Sequence, residues 1–322
     1  MVSLKEIKMA DLNTTKFIAG QIKEISSIVG GGLAVNALSG GVDSSAVTML
    51  GFRALGKRLK TYFIDNGIMR EGEPQRVVSL FKKLGVPVVL VNAQKQFFAA
   101  LRGITDPEEK REAITQTFYK DVFGKIVKES KARYLLQGTN YTDVEETVAG
   151  IKRQHNILTQ LGIDTDAVYG YKVIEPLVRL RKPAVRAVAE TLRLPKEIYS
   201  RPPFPGPALV ARVIGPVTPA KIETVRKATK VVEGLLVNTR AFQYLAILHE
   251  DRVTGITKGK RDFGLQIEVR CWESKDAKTA LPTRVSYEIL DKLARKITRD
   301  VPGVVSVTYN ITRKPPSTIE AI

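Results

Sequence analysis

The segment 39–45, SGGVDSS, combines residue types that suit the binding of a phosphorylated ligand. Two adjacent glycines let the backbone approach a ligand closely, and serine hydroxyls can donate hydrogen bonds to phosphate oxygens. Asp43 would repel a phosphate unless a divalent cation lay between them. This combination of residues therefore predicts a site for a magnesium nucleotide.

The sequence on either side of this segment predicts a strand-to-helix turn. The apolar run 33–38 has the length of a buried strand, and 46–55 contains good helix formers with one apolar side. Such a turn directs unpaired backbone N–H groups and the positive end of the helix dipole at one point, which suits phosphate. Two common phosphate loops are excluded, since no lysine follows Gly41 and Val35 stands where a dinucleotide fingerprint counted from Gly30 needs glycine.

The same alternation of strands and helices continues along the chain. Further strands are predicted at 59–67, 86–93, 133–140 and 171–177, with helices at 73–84 and 183–193 between or after them. A single long helix is predicted within 104–130, opened by a capping box of Thr105 and Glu108. The fold class is therefore α/β, a mostly parallel sheet with helices on both faces and ligands at the carboxyl ends of the strands.

The composition changes near residue 200. Four prolines fall within 202–207 and predict a rigid connector, after which the pattern becomes helix, strands and helix. We expect a first domain over 1–200 and a smaller α+β domain over 201–322.

The loop and several later segments resemble known enzymes. SGGVDSS is similar to the SGGxDS loop of the ATP pyrophosphatases, the PP-loop enzymes with an adenine nucleotide alpha hydrolase-like domain. Three other segments resemble the GMP synthetase family specifically: QGT at 137–139, RPPFPGP at 201–207 and KPPSTIE at 314–320. The likeness runs from about Leu33 to Glu320.

The resemblance implies a ligase that uses ATP and Mg²⁺ to aminate xanthosine monophosphate. The purine C2 oxygen would attack the α-phosphate and release pyrophosphate, and ammonia would then displace AMP to give GMP. The resemblance assigns ATP binding to the loop and one later glycine: Ser39, Gly40, Gly41, Val42, Asp43, Ser44, Ser45 and Gly138. The resemblance also implies that Asp43 binds the metal ion and that Asp43 and Lys152 are catalytic residues.

Further residues are expected to bind the nucleotide substrate: Asp143, Glu146, Lys314, Thr318, Ile319 and Glu320. The alternative for Asp143 and Glu146 is that they cap a helix, and the alternative for Lys152 is a solvated loop position. The second domain resembles the family's dimerisation domain and implies a homodimer.

Composition excludes several other classes of protein. The chain has 322 residues, no apolar run of membrane-spanning length and no hydrophobic signal region at its start, so we expect a cytoplasmic protein. Its one cysteine and two histidines exclude a disulfide framework and disfavour a zinc site or sulfur relay. The net charge of +18 would attract RNA, an anionic nucleotide or an acidic partner, and it permits RNA without favouring it.

The sequence leaves the ammonia source and the acceptor open. Nothing before the first strand suits glutaminase chemistry, so ammonia is expected to arrive free or from a separate glutamine amidotransferase subunit, as in the split archaeal form of the family. Gln154, Ala208 and Asn310 depart from the family pattern, and such changes can alter substrate choice. Two alternatives remain: the same adenylation on another acceptor such as an RNA base, and a noncatalytic nucleotide-binding protein.

Overall fold

A computed structural model describes the chain over residues 4–148, 171–200, 204–239, 241–257, 259–275 and 278–321. The chain divides into two compact units, the first formed by Met1–Ile64, Pro74–Asn92 and Phe118–Arg201 and the second by Asp65–Glu73, Ala93–Thr117 and Pro202–Ile322. The domain boundary near residue 200 stays a prediction. Within the described ranges, no helix combines the length and apolar character that a membrane crossing requires.

A five-stranded sheet forms the first unit, in the order β3-β2-β1-β4-β5. Its strands are β1 (Ala34–Ala37), β2 (Leu59–Asp65), β3 (Val88–Asn92), β4 (Tyr134–Leu136) and β5 (Lys172–Ile174). β1 pairs in parallel with both β2 and β4, and β4 pairs in parallel with β5. The predicted α/β class is confirmed, and β1 lies at the centre of the sheet.

Helices connect these strands and continue into the second unit. They are α1 (Thr14–Val29), α2 (Val42–Leu55), α3 (Glu73–Lys83), α4 (Gln94–Ala100), α5 (Pro107–Gln116), α6 (Gly124–Ser130), α7 (Tyr141–Val148), α8 (Lys182–Thr191), α9 (Lys196–Tyr199), α10 (Pro219–Leu236) and α11 (Tyr287–Asp300). α2 lies close against the sheet, because a Cβ at Gly51 would be 2.5 Å from Leu136 Cδ2 and 3.0 Å from Leu59 Cδ2. This close packing fixes where the first turn of α2 meets the end of β1.

The prediction of one long helix within 104–130 is confirmed, because the chain is helical without interruption from 107 to 130, but its predicted capping residue is wrong. Asp106 caps α5 by accepting the N–H groups of Glu108 and Glu109, so the cap is one residue later than Thr105. A π-helical segment, Thr117–Phe123, lies between α5 and α6 within this continuous helix. The π-helical repeat brings residues five apart together, and Phe118 stacks on Phe123 with ring centroids 5.8 Å apart.

The second unit contains a long antiparallel hairpin of β6 (Gln243–Thr257) and β7 (Lys260–Glu273). β8 (Leu281–Pro282) pairs antiparallel with β7, and β9 (Val304–Tyr309) pairs parallel with β7. These strands, with α10 and α11, confirm the α+β pattern expected after the proline segment.

One departure from the family pattern lies at a strained backbone position in this unit. Ala208, which replaces a family glycine, is buried and has a φ of +53°. An L-residue pays a conformational cost in this left-handed region that glycine does not. The methyl group is therefore accommodated at the expense of backbone strain.

Candidate active site

Two glycines shape the loop between β1 and α2. Gly40 has a φ of +82°, and a Cβ there would lie 2.9 Å from Val77 Cγ2, so both the conformation and the space require glycine. Gly41 precedes α2 in an extended conformation, and none of the described side chains caps the helix there. The N–H groups of the first turn are therefore available to an anion at the positive end of the helix dipole.

The side chains of four loop residues lie in two different environments. The hydroxyls of Ser39 and Ser44 lie 2.9 Å apart, and Ser44 Oγ also accepts the Ser39 N–H and donates to the Gly41 carbonyl. Val42 and Ser45 are buried, and Ser45 Oγ has no hydrogen-bond partner among the described residues. Ser39 and Ser44 can therefore offer hydroxyls to a ligand, whereas Val42 and Ser45 can offer only backbone groups.

Within the part of the chain that the structure describes, one carboxylate oxygen of Asp43 accepts a hydrogen bond and the other does not. Its Oδ2 accepts a hydrogen bond from the ammonium of Lys182, while Oδ1 is buried without a hydrogen-bond partner in the described part of the chain. A carboxylate oxygen without a proton donor suits a hard cation such as Mg²⁺. The described residues hold no cluster of three His, Cys, Asp or Glu side chains, so a magnesium ion at Asp43 would take its other ligands from phosphates and water.

Gly138 lies against the start of α2. A Cβ at this position would be 3.1 Å from Asp43 C and from Ser44 N, and 3.2 Å from Asp43 Cβ. The turn after β4 therefore contacts the phosphate-loop turn directly, as expected for adjacent strands whose carboxyl ends meet at one edge.

Arg181 joins α7 to the start of α8. Its guanidinium donates two hydrogen bonds of 2.6 Å to the Glu145 carboxylate and one of 3.0 Å to Glu6, and it lies over the Tyr141 ring. The hydrogen bonds from Arg181 lower the pKa of Glu145. This network fixes the backbone immediately before Lys182.

Asp143 forms a capping box at the start of α7. Asn140 Oδ1 accepts the N–H groups of Thr142 and Asp143, and Asp143 Oδ2 accepts the Asn140 N–H at 3.0 Å. The structure thus supports the helix-capping alternative for Asp143, while its binding to substrate stays a prediction. Glu146 lies in the same helix. Lys152 lies outside the described residues.

The carboxyl ends of β4 and β5 are also linked. The buried Thr139 hydroxyl donates to Glu175 Oε1 at 2.5 Å. This bond fixes the turn that carries Gly138 and adds a carboxylate to the same edge of the sheet.

The predicted tail residues lie together on the second unit. Lys314 pairs with Ala280 through two backbone hydrogen bonds, and the buried Ile319 packs against Trp272 and Ala280. Thr318 is exposed, and its carbonyl accepts a hydrogen bond from Arg270 at 2.9 Å. The tail is thus docked on the unit by both backbone and side-chain contacts.

Glu320 is held by three side chains of the second unit. Its Oε1 accepts a hydrogen bond from Gln243 at 2.5 Å, its Oε2 lies 3.6 Å from the fully buried Arg212, and its carbonyl accepts from Arg270. Burial lowers the pKa of Arg212, although the Glu320 charge opposes that effect. The Glu320 carboxylate therefore anchors the tail; its binding to substrate stays a prediction.

A second departure from the family pattern has a structural explanation. Asn310 replaces a family aspartate, and its amide donates to Glu268, which also receives hydrogen bonds from His249 and Arg270. Burial raises the pKa of Glu268, but these three hydrogen bonds outweigh it and the net shift is downward. An aspartate at 310 would face this carboxylate and repel it.

Sequence reasoning missed Arg181, Lys182 and Glu175. The basic cluster at 179–186 has the composition of a solvated surface, although it lies between the end of β5 and the first turns of α8. These residues follow β5, the strand next to β4, and ligands bind at the carboxyl ends of parallel strands. That position in the predicted sheet was the signal that could have identified them.

Comparison with known proteins identifies the relatives of this chain. Residues 13–209 match a family model described as NAD synthase, and residues 231–321 match one described as GMP synthase C terminal domain. One subunit of the glutamine-hydrolyzing GMP synthase of Archaeoglobus fulgidus is 46% identical over 310 residues, which cover 96% of this chain and 99% of that subunit. This chain belongs to the GMP synthase family.

Other GMP synthases show the same extensive similarity. The corresponding subunit from Pyrococcus furiosus is 44% identical over 95% of this chain and 96% of its own length. The glutamine-hydrolyzing GMP synthase of Pyrobaculum aerophilum is 42% identical over 93% of this chain, which covers 60% of that longer relative. Membership of the GMP synthase family confirms what the proline segment and the KPPSTIE tail predicted.

Proposed function

We propose that this chain is the ATP-pyrophosphatase subunit of a two-subunit GMP synthase, which aminates xanthosine monophosphate to GMP. The observation that carries the proposal is the first turn of α2 behind Gly40 and Gly41, which no described side chain caps, with an Asp43 oxygen beside it that has no hydrogen-bond partner among the described residues. The similarity to single subunits of archaeal GMP synthases over nearly the whole chain supports the same assignment.

The loop would bind the phosphates of ATP. The backbone N–H groups at the start of α2 and the hydroxyls of Ser39 and Ser44 would donate hydrogen bonds to phosphate oxygens, and Gly40 and Gly41 would allow close approach. Asp43 would hold a magnesium ion, which when bound neutralises phosphate charge and orients the reacting groups.

The chemistry joins two displacements. The C2 oxygen of xanthosine monophosphate attacks the α-phosphorus, and the bond to the bridging oxygen breaks to release pyrophosphate. Ammonia then attacks C2, and the C2–oxygen bond breaks to release AMP. Because such transfers depend mainly on positioning and charge neutralisation, this chain contributes backbone amides, hydroxyls and cations. Lys152 is proposed to neutralise charge at the reacting phosphate.

The remaining assignments concern the nucleotide acceptor. We assign its binding to six residues: Asp143, Glu146, Lys314, Thr318, Ile319 and Glu320. The contacts of Glu320 with Gln243, Arg212 and Arg270 support an ordered tail, which a substrate-binding segment needs.

The proposal includes two partners. A separate glutamine amidotransferase subunit would supply ammonia, in line with the names of the relatives, which describe one subunit of a glutamine-hydrolyzing enzyme. A homodimer through the second domain and a cytoplasmic location stay predictions from the sequence.

A pyrophosphate-release assay tests the proposal. Purified protein is incubated with Mg·ATP and ammonium, with and without xanthosine monophosphate, and Asp43→Asn is compared with wild type. Asp11→Asn, an exposed acid outside the loop, is the matched control. We expect release that requires xanthosine monophosphate and is lost only in Asp43→Asn. Release that is independent of xanthosine monophosphate, or is absent while ATP still binds, would refute the acceptor, and RNA would then be tested.

A further inference from the structure

Basic residues collect at one edge of the five-stranded sheet, opposite the phosphate loop. All five strands are parallel, so the segments at their amino ends meet along this edge in the order β3-β2-β1-β4-β5. We call these segments the amino edge: 82–87, 56–60, 30–33, 128–133 and 171–172. They contain nine lysine or arginine residues and one acid, Glu129, so nine minus one leaves a net charge of +8. Eight of the nine basic side chains are exposed.

Most of this charge has no carboxylate partner in the described part of the chain. Within the described ranges, no lysine or arginine of 56–60, 82–87 or 128–133 forms an ion pair. Basic residues elsewhere do pair, as Arg111 does with Glu108. The cations of the amino edge therefore attract anions from solution, and a nucleic acid that binds them releases its own condensed counterions, which favours association.

The centre of the amino edge is flat. Gly30 and Gly31 are exposed, and a Cβ at either position would meet nothing within 4 Å. The Arg58 guanidinium donates to the Gly30 carbonyl, which holds a cation beside these glycines. The partly exposed ring of Tyr134 lies next to them, with its Cε2 atom 3.2 Å from the position of a Cβ at Gly32. A phosphate backbone can approach the main chain here, and the aromatic ring offers a base a stacking surface.

The dimensions of the amino edge suit one strand of nucleic acid. Neighbouring strands of the sheet lie about 4.8 Å apart, so five strands carry the cations along a line of about 19 Å. A single line of cations matches one phosphate backbone, whereas a duplex presents two. β2 has seven residues, which at about 3.3 Å each place the amino edge about 20 Å from the carboxyl ends and the phosphate loop. A subunit that delivers ammonia must reach those carboxyl ends, so the amino edge suits a different partner.

We propose that the amino edge is a binding surface for single-stranded nucleic acid, which it holds by the phosphates without reading the base sequence. Contacts from lysine and arginine to phosphates position a strand but carry no base information. The inference does not depend on the proposed function, because the amino edge and the phosphate loop lie at opposite edges of the sheet.

The test measures the binding of fluorescent oligonucleotides by anisotropy. Wild type is titrated with short oligo(U), oligo(dT) and duplex RNA at several salt concentrations, with and without Mg·ATP. The edge variant combines Lys57→Gln, Lys60→Gln, Lys131→Gln and Arg133→Gln, which replace exposed residues of the amino edge. Thermal unfolding verifies that the variant is folded.

A matched control removes the same number of charges elsewhere. It combines Lys95→Gln, Arg102→Gln, Arg284→Gln and Lys292→Gln, which replace exposed residues of the second unit. The two variants therefore have the same net charge and differ only in where the cations are lost.

We expect oligo(U) to bind wild type with an affinity that falls steeply with salt. The edge variant should weaken this binding by about tenfold or more and lower the magnitude of the salt slope by about 3, since each of four phosphate contacts contributes about 0.7 on a single strand. The control should stay within about twofold of wild type, because salt screens distant charges. Mg·ATP should not displace oligo(U). Equal affinity for oligo(dT) indicates recognition of the phosphates alone, and weaker binding of oligo(dT) assigns the surface to RNA.

Four results would overturn the inference: no binding of oligo(U), equal weakening in both variants, displacement by Mg·ATP, or tighter binding of duplex RNA. Equal weakening would reflect net charge alone, and displacement would place the strand on the phosphate loop. Poly-L-glutamate is titrated in parallel. If it binds through the amino edge and oligo(U) does not bind, the surface fits an acidic protein and the nucleic-acid proposal is wrong.

Discussion

Replacing Gly138 by alanine should disturb the phosphate loop from outside it. The new Cβ would lie 3.1 Å from Asp43 C and Ser44 N, about 0.3 Å closer than ordinary van der Waals contact. Both neighbours are backbone atoms at the head of α2, so they cannot rotate away and the turn itself must move.

The size of the effect follows from this displacement. Overpacking of this kind costs about 1–3 kcal/mol, and a shift of about 1 Å at a reacting group can cost about 100-fold in rate. For a movement of a few tenths of an ångström we expect a loss on the order of tenfold in kcat/KM for ATP.

The assay compares Gly138→Ala with Gly20→Ala. A Cβ at Gly20 meets nothing within 4 Å, and this position lies inside α1, so Gly20→Ala should stabilise the protein by up to about 1 kcal/mol and leave kcat/KM unchanged. Urea unfolding and steady-state kinetics are measured on both variants. If Gly138→Ala keeps wild-type kinetics and stability, the contact between the β4 turn and the loop does not constrain the site.

Three further predictions concern the second unit. Ala208→Gly should relieve left-handed strain and raise the free energy of unfolding by about 0.5–1 kcal/mol in urea titrations, and destabilisation would contradict this. Asn310→Asp should lower the melting temperature because its carboxylate would face that of Glu268. The decrease in melting temperature should be smaller at acidic pH, and Asn310→Ala, which adds no charge, is the control. Burial lowers the pKa of Lys110 in the folded state below 10.5. The unfolded state therefore binds more protons than the folded state between the two pKa values, so the contribution of Lys110 to the free energy of unfolding rises with pH. The stability deficit of Lys110→Met should therefore widen from about pH 8 to about pH 10, and a constant deficit would contradict the shift.

The sequence predicted the central βα unit because its signals are local. The apolar run of β1, the glycine pair and the helix formers of α2 lie within about two dozen residues, and each indicates the same turn. The π-helical segment at 117–123 was missed because it has the same composition as the α-helical turns around it.

The missed site residues depend on contacts that are distant in sequence. Lys182 and Asp43 are 139 positions apart, and Arg270 reaches the tail across 48 positions. A pattern read along one chain carries no signal for such pairs, since only the sheet order brings the ends of β1 and β5 to the same edge. The departures Ala208 and Asn310 were noticed in the sequence, but their physical meaning required the backbone angle of one and the Glu268 partner of the other.

The most direct test of the proposed reaction follows one oxygen atom. Xanthosine monophosphate labelled with ¹⁸O at C2 is incubated with wild-type protein, Mg·ATP and ammonium, and the AMP produced is analysed by mass spectrometry. Adenylation of the C2 oxygen predicts one ¹⁸O in the phosphate of AMP for each GMP formed. Unlabelled AMP, or formation of ADP and phosphate, would contradict the adenylation of xanthosine monophosphate at this site.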